Sequence, residues 1–180
     1  VGVCYRCKTV IEPYVSTQWF VATTKMAPQA RAAVPDLIRI FPDSWIKTYY
    51  NWLDNIRDWC ISRQRRWGLP IPVFYCKDCG KPICTDETID AISKLFAAEG
   101  SNAWFAKEAE EILPEGFACP HCGAKAGFTK ETDTLDGWFD SGSTHFASMQ
   151  KDQGFWPADV YMEGLDQYRG WFQAALLTAV

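Results

Sequence analysis

The most informative motif of this sequence consists of two short segments, CKDCG at residues 76–80 and CPHCG at residues 119–123. Each is a C-x-x-C pair followed by glycine, and a turn of this length lets two thiolates bind one metal ion. The glycine suits such a turn because it adopts a positive φ without steric cost. Four thiolates fill the tetrahedral coordination of zinc, so the metal would be structural rather than catalytic. We therefore predict a zinc site with the ligands Cys76, Cys79, Cys119 and Cys122.

The sequence leaves other interpretations of its cysteines open. The four predicted ligands could be free thiols, or one C-x-x-C pair could be redox-active. A third pair, Cys4 and Cys7, has no second pair to join. It is either half of a metal site completed by residues elsewhere or simply free. We expect His121 to face solvent rather than bind metal, and Cys60 and Cys84 to be small buried side chains.

The composition indicates a folded domain in a reducing compartment. Hydrophobic residues make up 48% and charged residues 22%, a balance typical of globular rather than disordered proteins. The sequence shows no apolar run of about 18 residues and no signal peptide, so we expect a cytoplasmic protein without a membrane span. The net charge of −4 excludes a strongly basic surface over the whole chain. The local basic run RQRRW at residues 63–67 is either a nucleic-acid contact or a solvated charged stretch.

The composition of the chain changes at residue 76 and again after residue 130, which indicates an inserted segment between two flanking segments. Residues 76–130 are polar, contain glycine and hold one predicted helix over residues 86–99. In the flanks, predicted strands alternate with predicted helices, which indicates a parallel α/β sheet. The predicted strands cover residues 17–21, 37–41, 59–62, 68–75, 134–139 and 159–163. The predicted helices cover residues 25–34, 43–56 and the chain from residue 167 onward.

Two polar loops follow the last two predicted strands. They read DGWFDSGSTH at residues 136–145 and EGLDQYRGWF at residues 163–172. Open α/β sheets bind ligands beyond the carboxyl ends of their strands. Carboxylates there can meet an ammonium group or ribose hydroxyls, glycine permits close approach, and tryptophan can wall an apolar side chain. In the alternative interpretation, Trp138 and Trp171 are core residues and the polar residues are solvated.

Several stretches resemble class I aminoacyl-tRNA synthetases of the isoleucyl, valyl and leucyl branch. DWCISRQRRWGLPIP at residues 58–72 is similar to the segment that follows their editing domain. CYRCKT at residues 4–9 and QWF at residues 18–20 are similar to the stretch where the chain leaves that domain. Residues 4–61 are more similar to valyl enzymes, and residues 99–180 to isoleucyl enzymes. The second half would hold the amino-acid pocket, so the resemblance favours isoleucine, with valine as the alternative.

The resemblance implies a fold, a site and partners. The fold would be part of a Rossmann-like catalytic domain, with parallel strands and helices, carrying an inserted α+β zinc ribbon. Its parts would be the root of the editing domain (1–15), a catalytic segment (16–75), the zinc ribbon (76–130) and a second catalytic segment (131–180). The partners of the whole protein would be ATP with Mg²⁺, isoleucine and tRNA. The residues expected at the aminoacyl-adenylate are Glu163, Gly164, Asp166 and Gln167, with Trp138 and Trp171 lining the side-chain pocket.

The same resemblance implies that the chain is a central piece of a longer enzyme. We find neither the HIGH nor the KMSKS motif, whose side chains stabilise charge on the ATP phosphates. We therefore expect no catalytic residues in this piece and no activity by itself. We also expect it to self-associate, because a truncated parallel sheet exposes edges and apolar faces.

Functions of other classes remain open at this point. The chain could be a stand-alone zinc-ribbon module that binds nucleic acid or protein, or an inert structural insertion. The acidic balance of residues 76–130 counts against a direct grip on RNA by the ribbon.

Overall fold

The computed structural model describes the backbone of residues 1–179 and the side chains of residues 1–149 and 154–179. The strands are β1 (Phe20–Val21), β2 (Trp59–Cys60), β3 (Ser62–Arg63), β4 (Phe74–Cys76), β5 (Pro82–Ile83), β6 (Phe128–Lys130) and β7 (Thr134–Leu135). The α-helices are α1 (Thr23–Ala32), α2 (Ile46–Asp54), α3 (Asp86–Glu99), α4 (Ala103–Ala106), α5 (Ala109–Ile112), α6 (Gly137–Gly142) and α7 (Trp171–Ala179). Short 3-10 turns at Asp43–Trp45 and Leu165–Arg169 and a π-helical stretch at His145–Gln153 complete the elements. None of the helices within residues 1–179 is long and apolar enough to cross a bilayer.

Strand β4 lies at the centre of a three-stranded antiparallel sheet, between β5 and β6. Phe74 pairs with Ile83 on one side and with Lys130 on the other, and Cys76 pairs with Phe128. The two ends of the segment 76–130 therefore lie side by side. A hydrophobic core packs against this sheet, and burying each of its large side chains contributes about 1.5–3 kcal/mol. The core residues are Phe74, Cys76, Ile83, Ile92, Trp104, Ala109, Ile112, Leu113, Phe117, Cys119 and Phe128.

Helix α3 confirms the helix predicted over residues 86–99. Thr85 caps its start, because its hydroxyl accepts from the Thr88 N–H at 3.3 Å while its own N–H donates to the Thr88 hydroxyl at 3.0 Å. This reciprocal pair satisfies N–H groups that a helix start leaves without partners. Gly100 follows the last helical residue with a φ of 79°, a conformation that glycine adopts without strain.

A second core forms where α1 packs against α2. Its buried residues include Ala30, Val34, Tyr49 and Leu53. Tyr49 is buried, and its hydroxyl donates to the Ala30 carbonyl at 2.7 Å, so the polar atom keeps a partner. Burial raises the pKa of Tyr49 well above its ordinary value, so this hydroxyl stays a hydrogen-bond donor at neutral pH.

The prediction of parallel strands is wrong for the residues that the structure describes. Every pair of strands there is antiparallel, including β1 with β2 and β3 with β7. Residues 37–41 and 159–163, predicted as strands, form no strand at all. A strand is stable only when a second strand satisfies its N–H and C=O groups, and neither segment has such a neighbour within residues 1–179.

The half-buried carboxylate of Glu131 joins the three-stranded sheet to the flanking segments. Its Oε2 accepts from the indole N–H of Trp19 at 2.8 Å and from the hydroxyl of Tyr75 at 2.5 Å. Its Oε1 accepts from the N–H groups of Thr132 and Asp133 at 2.7 and 3.1 Å. Burial raises the pKa of Glu131, but these donors stabilise the carboxylate more strongly, and the pKa lies below its ordinary value.

Helices α6 and α7 pack at very short range. A Cβ on Gly142 would lie 2.7 Å from the carbonyl carbon of Ala174 and 2.8 Å from its Cβ. The Trp171 indole N–H donates to the Ser141 carbonyl at 2.8 Å, and the Thr178 hydroxyl contacts the Gly142 carbonyl at 3.1 Å. The contact therefore depends on glycine at position 142.

We predict that Gly142→Ala destabilises the protein by about 1–3 kcal/mol, because the added methyl group overpacks the helix contact. Urea unfolding followed by circular dichroism measures the change. Gly137→Ala is the matched control in the same helix, since a Cβ there meets nothing within 4 Å. Equal unfolding midpoints for the two variants would contradict the prediction.

Candidate metal centre and binding cavity

The four cysteines of the segment 76–130 lie together, with their sulfur atoms all within 4.8 Å of one another. The sulfurs of Cys76 and Cys122 are 3.6 Å apart, and those of Cys79 and Cys119 are 3.8 Å apart. A zinc ion held by four thiolates at about 2.3 Å requires sulfur–sulfur separations of about 3.8 Å. Two of the separations match this value and the others are at most 4.8 Å, so the four sulfurs could hold one tetrahedral metal ion.

Backbone hydrogen bonds hold both cysteine pairs in the same turn. The N–H of Gly80 donates to the Cys76 carbonyl, and that of Gly123 to the Cys119 carbonyl, each at 2.8 Å. The N–H of each first cysteine donates to the carbonyl five positions later, at 3.2 and 2.8 Å. The two glycines have φ values of 68° and 78°, which confirms the turn geometry predicted for them.

Two thiols of the cluster differ in acidity. Burial raises the pKa of Cys119, but hydrogen bonds from the N–H groups of His121 and Cys122 and from neighbouring thiols bring it down to about 6. The N–H of Ala124 lowers the pKa of Cys122, but burial and the other thiols raise it to about 12. Cys119 thus loses its proton more readily than Cys122, so a cation bound to both thiolates would displace a proton.

The predictions for His121, Cys60 and Cys84 have different outcomes. His121 is exposed and outside the four-sulfur group, with its Nε2 atom 3.1 Å from the Pro82 carbonyl oxygen, as expected of a residue that is not a ligand. Cys60 is half-buried, whereas Cys84 is exposed. The expectation that Cys84 is buried is wrong, because the adjacent Ile83 takes the inward position of β5.

Cys4 and Cys7 stand apart from the cluster but adopt the same turn. The N–H of Lys8 donates to the Cys4 carbonyl at 2.9 Å, and the N–H of Cys4 donates to the Thr9 carbonyl at 2.8 Å. Lys8, at the position of the two glycines, has a φ of 60°. Thr9, through its hydroxyl and its N–H, lowers the pKa of Cys7 to about 7.

A cavity of about 430 Å³ opens between α6 and the turn that precedes α7. Glu163, Gln167, Trp138 and Trp171 line it, so four of the six predicted adenylate residues come together. Gly164 and Asp166 do not line it but support it, since the Asp166 carboxylate accepts from the Gln167 amide at 3.0 Å. The lining also includes Ser141 and Thr144, which sequence reasoning missed although both belong to the loop 136–145.

The walls of this cavity are held by local contacts. The Gln167 side-chain carbonyl accepts from the Trp171 N–H at 2.9 Å, and the Trp171 ring lies 4.1 Å from the Tyr161 ring. A Cβ on Gly170 would overlap the Gln167 side chain and lie 3.3 Å from the edge of Trp138. Glycine at position 170 therefore lets the two cavity walls approach each other.

Two buried polar atoms near the cavity have no hydrogen-bond partner within the described residues: Asp140 Oδ1 and the Tyr161 hydroxyl. Burial, with the nearby charge of Asp136, raises the pKa of Asp140. Burial, with the charge of Glu163, raises the pKa of Tyr161 to about 12. Both groups thus resist ionisation at this edge of the cavity.

The basic run at residues 63–67 forms a loop anchored at both ends. The Thr134 hydroxyl donates to the Arg63 carbonyl at 3.2 Å, and the Leu135 N–H donates to the Leu69 carbonyl at 2.7 Å. Between these anchors Arg65 and Arg66 are exposed, and Trp67 is 93% exposed. A large aromatic ring in water beside two cations is suited to stacking on a base and binding phosphate.

A larger cavity of about 840 Å³ lies between α2 and the start of α7. The Arg169 guanidinium covers the Trp52 ring at 4.4 Å in this cavity. None of the predicted adenylate residues lines it. The smaller cavity is the better candidate site, because a carboxylate, an amide and two indoles converge there.

We predict that Asp140→Asn stabilises the protein at pH 7. A carboxyl group whose folded-state pKa is raised costs stability wherever it is ionised, and the cost disappears as pH falls through the pKa values of the folded and unfolded states. The gain in melting temperature should therefore shrink towards zero at about pH 3. Asp159→Asn, at an exposed carboxylate, is the control. A pH-independent difference for Asp140→Asn would refute this account.

Comparison with known proteins places the chain in a family. Residues 3–180 match the family of class I tRNA synthetases (I, L, M and V). The chain is 51% identical over 178 residues to the isoleucine–tRNA ligase of Caldicellulosiruptor bescii. It is 48% identical over 182 residues to that of Desulforamulus reducens and 47% over 178 residues to that of Syntrophomonas wolfei. Each match covers 98% of this chain and 19% of the relative, so the chain spans about one fifth of their length. The chain therefore belongs to the class I tRNA synthetases of the isoleucine, leucine, methionine and valine group.

Proposed function

We propose that this chain is the part of an isoleucine–tRNA ligase that holds the amino acid and its adenylate. The observation that carries the proposal is the convergence of Trp138, Trp171, Glu163 and Gln167 on one cavity. The relatives named above are isoleucine–tRNA ligases, which favours isoleucine over valine and over a zinc-ribbon binding module. The whole protein would activate isoleucine with ATP and Mg²⁺ and transfer it to tRNA.

The cavity residues have distinct roles in this proposal. Trp138 and Trp171 provide flat apolar walls for a branched side chain. Glu163 offers a carboxylate for the ammonium group or ribose hydroxyls, and Gln167 a neutral amide whose orientation Asp166 fixes. Gly164 leaves room for Asp166, since a Cβ there would lie 2.8 Å from the Asp166 carboxylate. The groups that stabilise charge on the ATP phosphates would come from other segments, because these 180 residues contain neither HIGH nor KMSKS.

We further propose that Cys76, Cys79, Cys119 and Cys122 bind one structural zinc ion. The sulfur separations of 3.6 and 3.8 Å support the proposal, since they match the edges of a tetrahedral site. Zinc would cross-link the two C-x-x-C turns. Cys76 ends β4 and Cys119 belongs to the core beside it, so the metal would fix the insertion against its own sheet.

Cys4 and Cys7 are proposed as half of a second zinc site. Their turn repeats the two hydrogen bonds and the positive φ of the paired turns, although a lysine stands where those turns have glycine. A non-glycine residue adopts positive φ at a cost, which a bound metal would offset. The remaining ligands would come from residues outside this chain.

The loop of Arg65, Arg66 and Trp67 is proposed as a contact for the tRNA. Its two cations and its solvent-exposed indole support this role, because single-stranded RNA binds through phosphate neutralisation and base stacking. This loop is a local basic site on a chain whose net charge is −4.

The proposed organisation keeps four parts: residues 1–15, 16–75, 76–130 and 131–180. The side-by-side ends of the segment 76–130 support an insertion there.

A cytoplasmic location is proposed because eight cysteines without a disulfide suit a reducing compartment. Self-association of the isolated chain is proposed from its exposed apolar side chains, among them Phe155, Val160 and Met162.

We predict about one zinc ion per chain by elemental analysis of reduced protein, and none in Cys119→Ser. Losing one thiolate opens the tetrahedral site, so rapid amide hydrogen exchange should spread through residues 74–130. Cys84→Ser, an exposed thiol outside the cluster, is the control and should keep its zinc. Zinc-free wild-type protein with a fully protected insertion would overturn the metal assignment.

We predict that the full-length protein catalyses isoleucine-dependent exchange of pyrophosphate into ATP. Gly170→Ala should raise the KM for isoleucine by about tenfold or more, because its methyl group pushes Gln167 and Trp138 apart. The matched control is Gly2→Ala, where a Cβ meets nothing within 4 Å. Exchange that depends on valine but not isoleucine would refute the amino-acid assignment.

A further inference from the structure

Asp136 is a buried carboxylate that ties residues 59–63 to the start of α6. It is 7% exposed, and its Oδ2 accepts from the Arg63 guanidinium at 2.6 Å and from the Trp59 indole N–H at 2.9 Å. Its Oδ1 accepts from the N–H of Trp138 at 3.3 Å and so caps the start of α6. Its own N–H donates to the Ile61 carbonyl at 2.7 Å. The residue therefore contacts β2, β3 and α6 at once.

The far end of α6 is held by a different set of contacts. Gly142 packs directly on Ala174 of α7, and the Ser141 carbonyl accepts from the Trp171 indole. The first turn of α6, which carries Trp138, is held by the Asp136 carboxylate and by the Phe139 N–H, which donates to the Asp136 carbonyl at 2.8 Å. Trp138 is 43% exposed and faces the cavity, so few core contacts fix its ring. The capping carboxylate is therefore one of the groups that hold this cavity wall.

We infer that Asp136 is a positioning residue for the amino-acid cavity, acting through its ion pair with Arg63 on the first turn of α6 and hence on Trp138. The inference rests on the proposed function, because it assigns to Trp138 the contact with the amino-acid side chain. It also links the basic loop to the cavity, since Arg63 opens that loop while its guanidinium holds Asp136. The carboxylate itself does not line the cavity.

The inference separates two properties of Asp136, its charge and its capping oxygen. Asn is as good a helix cap as Asp, so Asp136→Asn keeps an acceptor for the Trp138 N–H but loses the ion pair with Arg63. Arg63→Gln removes the same pair from the other side, together with the hydrogen bonds from the guanidinium to the Cys60 and Ser62 carbonyls. If the pair positions Trp138, both variants should have the same defect, and the double variant should be little worse than either single one.

The first measurement is isoleucine-dependent pyrophosphate exchange in the full-length protein. We expect Asp136→Asn to raise the KM for isoleucine about tenfold while the KM for ATP and kcat change by less than about twofold. A loss of folded protein alone would lower kcat and leave the KM unchanged, so it cannot imitate this result. Asp133→Asn is the control, because its carboxylate binds the Gln64 amide at 2.6 Å but touches neither α6 nor Arg63.

The second measurement is amide hydrogen exchange in α6, which does not depend on activity. Asp136→Asn should speed exchange at residues 138–142 and leave α3 unchanged. Unchanged exchange in α6, or faster exchange with an unaltered KM for isoleucine, would overturn the inference. A wild-type protein without isoleucine-dependent activity would refute the proposed function before any variant is compared. The exchange data would then still decide whether Asp136 fixes α6.

Discussion

The pairing of β3 with β7 is the contact on which the candidate site depends. Thr134 of β7 is 1% exposed, and its hydroxyl donates to the Arg63 carbonyl at 3.2 Å. The backbone of Gly68, at the end of the basic loop, lies against the Thr134 side chain, so a Cβ at position 68 would lie 3.0 Å from it. The basic loop and α6 leave the two strands in succession, so one short antiparallel pair fixes both. A two-residue pair is weak alone and is strengthened by the ion pair of the buried Asp136 with the half-buried Arg63 beside it.

Polar contacts at Glu131, together with the apolar packing of Phe74, connect the cysteine-rich segment to its flanks. The Glu131 carboxylate accepts from Trp19 and Tyr75, and its carbonyl accepts from the Trp104 indole at 3.2 Å. A half-buried carboxylate with all its oxygens satisfied gives orientation more than stability, because its desolvation cost offsets much of the hydrogen-bond energy.

The sequence by itself determined the turns and helix ends whose geometry depends only on residues close together in the chain. The C-x-x-C-G turns form as predicted because two cysteines and a glycine set their own geometry. Helix α3 has its predicted bounds because Thr85 caps it and Gly100 ends it. The family followed from long motifs such as residues 58–72, and the match over residues 3–180 confirms it. The cavity residues Trp138, Trp171, Glu163 and Gln167 were also named in advance, though only from the resemblance.

The tertiary structure alone decided what depends on partners distant in sequence. The direction of strand pairing could not be inferred, and the expected parallel strands are antiparallel pairs in the described residues. Ser141 and Thr144 line the cavity because residues 137–142 form helix α6, whereas the sequence predicted a strand to residue 139 followed by a loop. The Arg63–Asp136 ion pair joins residues that no periodicity connects. A sequence pattern records which groups need a partner, whereas the packing of the whole chain selects the partner each one receives.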